Sequence, residues 1–103
     1  MRIQKQKRGA SLTDYRIFET DEFLKKLSKL NPPDESFIQN KLDTYIYPQL
    51  KQSPWFGNNI KKLKGYTPET WRYRIGKFRL FYGIDDEERI IYMLTIDHRK
   101  DAY

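Results

Sequence analysis

Hydrophobic residues recur at helical spacing in two stretches of the N-terminal half of the chain, 20–31 and 33–47. Intervals of three and four residues place apolar side chains on one side of an α-helix. In the first stretch these residues are Phe23, Leu24, Leu27 and Leu30, and in the second they are Phe37, Ile38, Leu42, Tyr45 and Ile46. The pattern therefore predicts two amphipathic helices.

The residues at the ends of these stretches support the same interpretation. Thr20 or Asp21 is suited to cap the first helix, because a short polar side chain can accept a hydrogen bond from the first turn. Pro33 is tolerated in the first turn of the second helix. Pro48 removes a backbone donor and crowds the preceding turn, so we predict that the second helix kinks or ends near Tyr47.

A period of two residues replaces the helical period in four other segments, 15–19, 70–75, 78–84 and 89–97. Alternation of this kind is typical of strands. We predict an α+β fold in which two N-terminal helices pack on a mostly antiparallel four-stranded sheet, in the order strand-helix-helix-strand-strand-strand.

The turn between the second and third predicted strands fixes which residues lie opposite each other. Gly76-Lys77 fits a two-residue hairpin loop, with glycine at the first central position of a type II′ turn. Arg74 then lies opposite Arg79, and Arg72 lies opposite Phe81. Opposed residues share a face, and like charges directly opposite destabilise a sheet by a few tenths to about 1 kcal/mol. Guanidinium groups form bidentate hydrogen bonds to phosphate, so this pattern favours an anionic ligand.

The register of the last strand decides what joins these arginines. Its more apolar set is expected to face the helices: Ile90, Tyr92, Leu94 and Ile96. The other set would face the arginines: Ile91, Met93, Thr95, Asp97 and Arg99. We therefore expect Arg99 beside Arg79, with His98 and Tyr103 at the rim of the patch.

Composition narrows the choice of partner and of chemistry. The chain has 103 residues, a net charge of +6, no cysteine and one histidine. A disulfide framework and a thiolate or histidine metal site are therefore excluded, and we expect no cofactor. Cations concentrate in residues 1–13 and 61–79. We predict a basic, flexible arm at 1–13 and a single domain at 14–103, in a cytoplasmic protein with an anionic partner.

Arginines, aromatic residues and one histidine together suit RNA. Cations stabilise the charge that develops on a phosphate during cleavage, and aromatic rings stack on unpaired bases. Groups that accept and donate protons complete a cleavage that needs no metal. A merely solvated basic surface is the alternative interpretation of the charge.

The segment from Lys62 to Tyr103 resembles the RelE/ParE superfamily of toxins from toxin–antitoxin modules. The shared motifs are Lys-Leu-x-Gly, then Trp-Arg-x-Arg-x-Gly-x-(Phe/Tyr)-Arg-x-x-Tyr, an apolar strand, and a closing His-Arg-x-x-x-Tyr. Upstream of this segment, which is about 40% of the chain, only the order of elements matches.

The resemblance to RelE-like members implies a ribosome-dependent endoribonuclease that cuts mRNA in the A site by attack of a 2′-hydroxyl on the adjacent phosphate. It implies catalytic roles for Arg74, Arg79, His98, Arg99 and Tyr103. It also implies RNA contacts for Lys62, Lys64 and Arg72, to which the hairpin pairing adds Phe81.

Two other functions stay open on the sequence. A ParE-like relative would inhibit DNA gyrase by binding it, and an inactive relative would only bind RNA. All toxin interpretations imply a small antitoxin partner, acidic overall and partly disordered when free. The closing arginine and tyrosine favour the RelE-like branch.

Overall fold

The computed structural model describes residues 2–3 and 14–98, and these residues form one layer of helices on one sheet. Six strands in the described residues are ordered β1-β2-β6-β5-β4-β3. Their bounds are β1 Arg2–Ile3, β2 Arg16–Glu19, β3 Ile60–Leu63, β4 Thr70–Ile75, β5 Phe78–Asp85 and β6 Ile90–His98. The helices are α1 Asp21–Ser28, α2 Pro32–Lys41 and α3 Tyr47–Gln52, with a π-helical segment at Leu42–Ile46 between the last two.

The α+β class is confirmed, but the prediction of four strands is wrong. The two additional strands, β1 and β3, lie at opposite edges of the sheet. β1 has two residues and β3 reads Ile-Lys-Lys-Leu, so neither shows the apolar alternation that marks a half-buried strand. Strands β2 and β6 pair in parallel. The other pairs of neighbouring strands are antiparallel: β1–β2, β6–β5, β5–β4 and β4–β3.

The predicted arm overlaps β1 at its start. Arg2 pairs with Glu19 and Ile3 pairs with Phe18 in an antiparallel ladder. Residues 4–13 lie outside the described residues, so a flexible arm stays a prediction.

Both predicted helix starts use a side chain that accepts a backbone hydrogen bond. Thr20 Oγ1 accepts from the Phe23 N–H at 3.2 Å, and Asn31 Oδ1 accepts from the Asp34 N–H at 2.9 Å. The Thr20 hydroxyl also donates to the Met93 carbonyl at 2.8 Å. The residue that begins α1 thus also fixes that helix to β6.

Two outcomes are predicted near Tyr47, a kink in the second helix or its end. The helix does not end there. Its hydrogen bonding changes to the π pattern at Leu42–Ile46, where the Tyr47 N–H bonds to the Leu42 carbonyl, and α3 then continues to Gln52. Pro48 has no N–H to donate, and the widened turn places it in the first turn of α3, where that donor is not required.

One face of the sheet, here called the helix face, packs against the helices. Its strand residues include Tyr73, Leu80, Tyr82, Ile91 and Met93, and all five are at most 1% exposed. Polar atoms that enter this core are bonded. The Tyr47 hydroxyl donates to Glu19 Oε2 and the Tyr82 hydroxyl donates to the Pro54 carbonyl, both at 2.7 Å.

The predicted register of β6 is correct after Leu94 and wrong before it. Phe81 lies opposite Thr95, but its neighbour Tyr82 lies opposite Met93, so β6 has one extra residue at a β-bulge. The bulge reverses the alternation. Ile91 and Met93 are buried on the helix face, whereas Ile90 and Tyr92 are only partly buried.

Two further observations limit the architecture. No helix in residues 14–98 is long and apolar enough to cross a membrane. Within the same residues, no three His, Cys, Asp or Glu side chains are grouped so that they could hold a metal ion.

Candidate nucleic-acid interface

The β4–β5 hairpin places cationic residues on the face of the sheet opposite the helix face. Arg74 lies opposite Arg79, and Arg72 lies opposite Phe81, as predicted. Gly76 has a φ of 54°, the left-handed value that the first position of a type II′ turn requires. We call this side of the sheet, defined by Arg72, Arg74, Arg79 and Phe81, the arginine face.

Strand β3 adds a cation that the sequence did not reveal. Lys61 pairs with Arg72, and Lys62 pairs with Trp71. Opposed residues share a face, so Lys61 rather than Lys62 extends the arginine face. The signal for Lys61 was missing because β3 has no alternating pattern from which a pairing could be derived.

The predicted RNA contacts Lys62 and Lys64 lie at the margin of this surface. Lys62 is on the opposite side of the β3 edge and forms an exposed ion pair with Glu69, with Nζ and Oε2 2.8 Å apart. Lys64 is exposed in the turn that follows β3. Their contribution to RNA binding stays a prediction.

The cations on the arginine face influence one another. Burial lowers the pKa of Arg72, and the charges of Arg74 and Arg79 lower it further. Arg74 is exposed, whereas Arg79 is only 7% exposed. Concentrated positive charge at partly desolvated positions favours an anion, because the low local dielectric strengthens the interaction.

One cross-strand row on this face contains two buried polar atoms that have no hydrogen-bond partner in the described part of the chain. They are Nε of Arg72 and Oγ1 of Thr95. Both belong to the cross-strand row Arg72–Phe81–Thr95. Such atoms reduce stability by about 1–3 kcal/mol each, so a row that keeps two of them is not optimised for folding alone.

An acidic residue completes the cross-strand row that contains Arg79, and the histidine lies in the next row. Asp97 lies opposite Arg79, and its Oδ1 is 2.9 Å from Nζ of Lys26 on α1. His98 lies opposite Phe78, and the two rings meet edge to face with centroids 5.4 Å apart. His98 therefore belongs to the other face of the sheet, and the structure does not bring it together with Arg74 and Arg79.

The two remaining predicted catalytic residues, Arg99 and Tyr103, lie outside the described residues. Their roles, like the catalytic role of His98, stay predictions.

Comparison with known proteins connects this geometry to a family. Residues 19–103 match the family model described as the ParE toxin of the type II toxin–antitoxin system parDE. The chain belongs to the RelE/ParE toxin superfamily. It is therefore a toxin of a type II toxin–antitoxin system.

The relatives of this toxin in sequence carry RelE-type names. The archaeal protein RelE1 of Methanocaldococcus jannaschii is 34% identical over 80 residues, which are 78% of this chain and 84% of the relative. The toxin RelG of Mycobacterium tuberculosis is 42% identical over 43 residues, which are 42% of this chain and 49% of that relative.

Solved structures of toxin–antitoxin complexes share the fold. The RelBE2 complex of Mycobacterium tuberculosis contains a chain with a TM-score of 0.66 and 28% identity, covering 84% of this toxin and 99% of that chain. The RelE–RelB complex of Pyrococcus horikoshii gives a TM-score of 0.63 at 21% identity, covering 84% and 96%. The second likeness concerns the fold alone.

Proposed function

We propose that the toxin is a ribosome-dependent, metal-independent endoribonuclease that cleaves mRNA and thereby inhibits translation. The observation that carries the proposal is the cross-strand pair Arg74–Arg79, with Arg72 and Lys61 on the same face. Four cations on adjacent strands form a surface suited to a phosphate group. The RelE names of the relatives support the same activity.

The reaction needs charge stabilisation and two proton transfers. The ribose 2′-oxygen attacks the adjacent phosphorus, the bond from phosphorus to the 5′-oxygen breaks, and a 2′,3′-cyclic phosphate forms. Arg74, Arg79 and Arg99 are proposed to stabilise the charge that builds on the phosphoryl oxygens. A base must accept the 2′-hydroxyl proton and an acid must protonate the departing 5′-oxygen, and Tyr103 is the group proposed for one of these transfers. Neither transfer is assigned to His98, because it lies on the other face of the sheet.

The same surface supports a proposal for the substrate and the partner. Phe81 is partly buried beside Arg72 and offers a ring for stacking on an unpaired base, with Lys62 and Lys64 as flanking contacts. The proposed macromolecular target is mRNA in the ribosomal A site. The proposed inhibitor is a small, acidic antitoxin, since several related toxins were solved in complexes with RelB-type antitoxins.

The test is primer extension on mRNA during translation in vitro. Arg79→Ala should reduce cleavage by about 100- to 1,000-fold, the effect of removing one preorganised donor from a charged transition state. Arg79→Lys keeps the charge but loses the bidentate geometry, and it should recover only part of the activity.

Arg16→Ala is the matched control. Arg16 is exposed and lies on the same side of the sheet as the arginine face. It belongs to the cross-strand row Arg16–Ile90–Asp85, and this row meets β5 at Asp85, six residues from Arg79. Its cleavage should equal that of the wild type. Full cleavage by a folded Arg79→Ala, Arg99→Ala double variant would contradict the proposed roles.

Inhibition of DNA gyrase by binding is the second candidate, because the matching family model is the parDE toxin. Double-strand DNA breaks on expression of the toxin, with translated mRNA left intact, would favour that function. Expression without effect on growth would instead favour a non-catalytic RNA-binding relative.

A further inference from the structure

An acidic residue interrupts the positive charge of the arginine face. Asp97 lies directly opposite Arg79, so the row that crosses strands β4, β5 and β6 reads Arg74–Arg79–Asp97. The α-carbons of paired residues in adjacent strands are only about 4.5–5.5 Å apart. A phosphate held by the two arginines therefore has a carboxylate on the neighbouring strand.

Helix α1 holds this carboxylate in place. β2 pairs with β6 as far as Met93, and α1, which follows β2, packs against β6. Nζ of Lys26 on α1 donates a hydrogen bond of 2.9 Å to Oδ1 of Asp97. The other oxygen, Oδ2, has no hydrogen-bond partner among the residues that the structure describes. The Asp97 side chain is 33% exposed, so a bound substrate can reach it.

The proposed cleavage needs a general base on the arginine face. The general base must lie within hydrogen-bond reach of the 2′-hydroxyl next to the scissile phosphate. His98 does not meet this requirement, because it lies on the other face of the sheet. The described strands place two carboxylates on the arginine side, Asp97 and Asp85, and Asp85 is six residues along β5 from Arg79. Of these two carboxylates, only Asp97 lies beside the phosphate site.

We infer that Asp97 is the general base of the proposed cleavage and that Lys26 is its positioning residue. The inference rests on the proposed function, since it assigns one proton transfer of the same reaction. Oδ2 of Asp97 accepts the 2′-hydroxyl proton while the 2′-oxygen bonds to phosphorus and the bond from phosphorus to the 5′-oxygen breaks. An acid protonates the departing 5′-oxygen, and the Asp97 carboxyl group then gives its proton to water.

Two simpler roles are compatible with the same position. Asp97 would act only in folding if its importance came from the cross-strand pair with Arg79 and the ion pair with Lys26. It would act as an inhibitory anion if it competed with RNA for the cations of the arginine face. These roles predict different effects on RNA binding and on cleavage, so the two quantities are measured separately.

Asp97→Asn removes the general base but keeps an oxygen that can accept the hydrogen bond from Lys26. Primer extension on mRNA translated in vitro should show cleavage reduced by about 100- to 10,000-fold, the range for loss of a general base. Binding is measured by the anisotropy of a fluorescent, fully 2′-O-methylated single-stranded oligonucleotide, which cannot be cleaved. Its Kd should be unchanged or lower, because a negative charge has been removed from a cationic surface.

Two further substitutions at the same position extend this test. Asp97→Glu keeps a carboxylate on a longer side chain and should recover part of the cleavage. Asp97→Ser lacks both the carboxylate and the amide, and it should lose as much cleavage as Asp97→Asn. Urea denaturation shows that each variant is folded. Cleavage at the wild-type rate by a folded Asp97→Asn or Asp97→Ser variant would overturn the inference, and so would faster cleavage combined with tighter binding.

Lys26→Met tests the positioning role. It breaks the same ion pair as the substitutions at Asp97 but leaves the carboxylate, so cleavage should fall far less than in Asp97→Asn, with an unchanged Kd. Equal losses of cleavage in Lys26→Met and Asp97→Asn would mean that only the tie between α1 and β6 matters. A higher Kd with an unchanged cleavage rate would make Lys26 an RNA contact. Either result would overturn the assignment.

Asp85→Asn is the matched control. It makes the same substitution on the same side of the sheet, and Oδ1 of Asp85 accepts a hydrogen bond from the Glu88 N–H at 3.0 Å, which an asparagine oxygen can also accept. Its cleavage should equal that of the wild type. An equal loss in Asp85→Asn and Asp97→Asn would mean that the total charge of this face controls cleavage, and it would overturn the role of Asp97.

Failure of the proposed function has a different signature. A wild-type toxin that binds the oligonucleotide but leaves translated mRNA intact would overturn both the nuclease assignment and the role of Asp97. If Arg79→Ala abolished cleavage while Asp97→Asn cleaved like the wild type, the nuclease assignment would hold and only the general base would be wrong.

Discussion

The side chains of strand β5 alternate between two faces of the sheet that differ in burial, charge and hydrogen bonding. Leu80 and Tyr82 point into the helix face and are fully buried, and the Tyr82 hydroxyl is hydrogen-bonded. Arg79 and Phe81 point the other way, into a face where cations lie opposite each other and Nε of Arg72 is buried without a partner among the described residues. The helix face is built for stability, whereas the arginine face retains features that reduce it. That difference is the physical reason to look for function on the arginine face.

The largest predicted difference between the two faces is in the free energy of unfolding lost when either of two neighbouring isoleucines is replaced by alanine. Ile91 is 0% exposed on the helix face, whereas Ile90 is only partly buried on the arginine face. Ile91→Ala should lower the free energy of unfolding by about 2–5 kcal/mol, because it creates a cavity in the core. Ile90→Ala should lower it by less than about 1.5 kcal/mol. Urea denaturation of both variants measures the difference.

These two variants also test the bulge. Strict alternation back from Ile96 would bury Ile90 and expose Ile91. Equal losses in the two variants, or a larger loss in Ile90→Ala, would show that the register has no bulge between Tyr92 and Thr95.

Alkaline pH is expected to lower the free energy of unfolding by an intermediate amount, because it ionises buried tyrosines. Burial raises the pKa of Tyr15 to about 12, assisted by its hydrogen bond to Asp86 at 2.5 Å and by the charge of that carboxylate, while Arg89 acts in the opposite direction. An unfolded tyrosine loses its proton near pH 10, as noted for model peptides. The contribution of Tyr15 to stability is therefore complete below about pH 10 and is lost as pH rises toward about 12.

Tyr15→Phe separates this contribution from the others. Its free energy of unfolding should decline less steeply between pH 10 and pH 12 than that of the wild type, as followed by urea denaturation at fixed ionic strength. Burial also raises the pKa of Tyr73 and of Tyr82, so a residual slope is expected. Identical slopes in the two proteins would contradict the assignment to Tyr15.

The smallest predicted effect has the opposite sign. Arg74→Gln removes one of two cations that lie directly opposite each other, so it should stabilise the fold by about 0.2–1 kcal/mol at low salt. Exposed charges are screened by salt, and the gain should shrink above about 1 M NaCl. A loss of stability in Arg74→Gln at low salt would mean that the pair is compensated on this face.

Local sequence signals were sufficient to predict part of the fold and part of the candidate site. Gly76 needs a positive φ, and a two-residue turn allows one register, so the pairs Arg74–Arg79 and Arg72–Phe81 followed from the sequence. The cap at Thr20 also follows from local chemistry.

Other parts depend on contacts between distant segments. Residues 90–94 are all apolar, so either face of β6 could be buried, and only the pairing with Phe81 and Tyr82 decides. Lys61 joins the arginine face because β3 pairs with β4 at the edge of the sheet, which no pattern in Ile-Lys-Lys-Leu indicates. His98 was expected at the rim of the arginine patch, and strand alternation places it on the opposite face.

The parallel pairing of β2 with β6 has a consequence for biosynthesis. β6 lies between β2 and β5, and the hydroxyl of Thr20 reaches the carbonyl of Leu94, 74 residues later in the chain. A nascent chain therefore holds β2 and α1 without their main hydrogen-bonding partner until residues 90–98 have been made and released from the ribosome. Closure of so long a loop is slow, and exposed apolar surface persists meanwhile. A protein proposed to stop ribosomes thus completes its own sheet only after a ribosome has made residues 90–98.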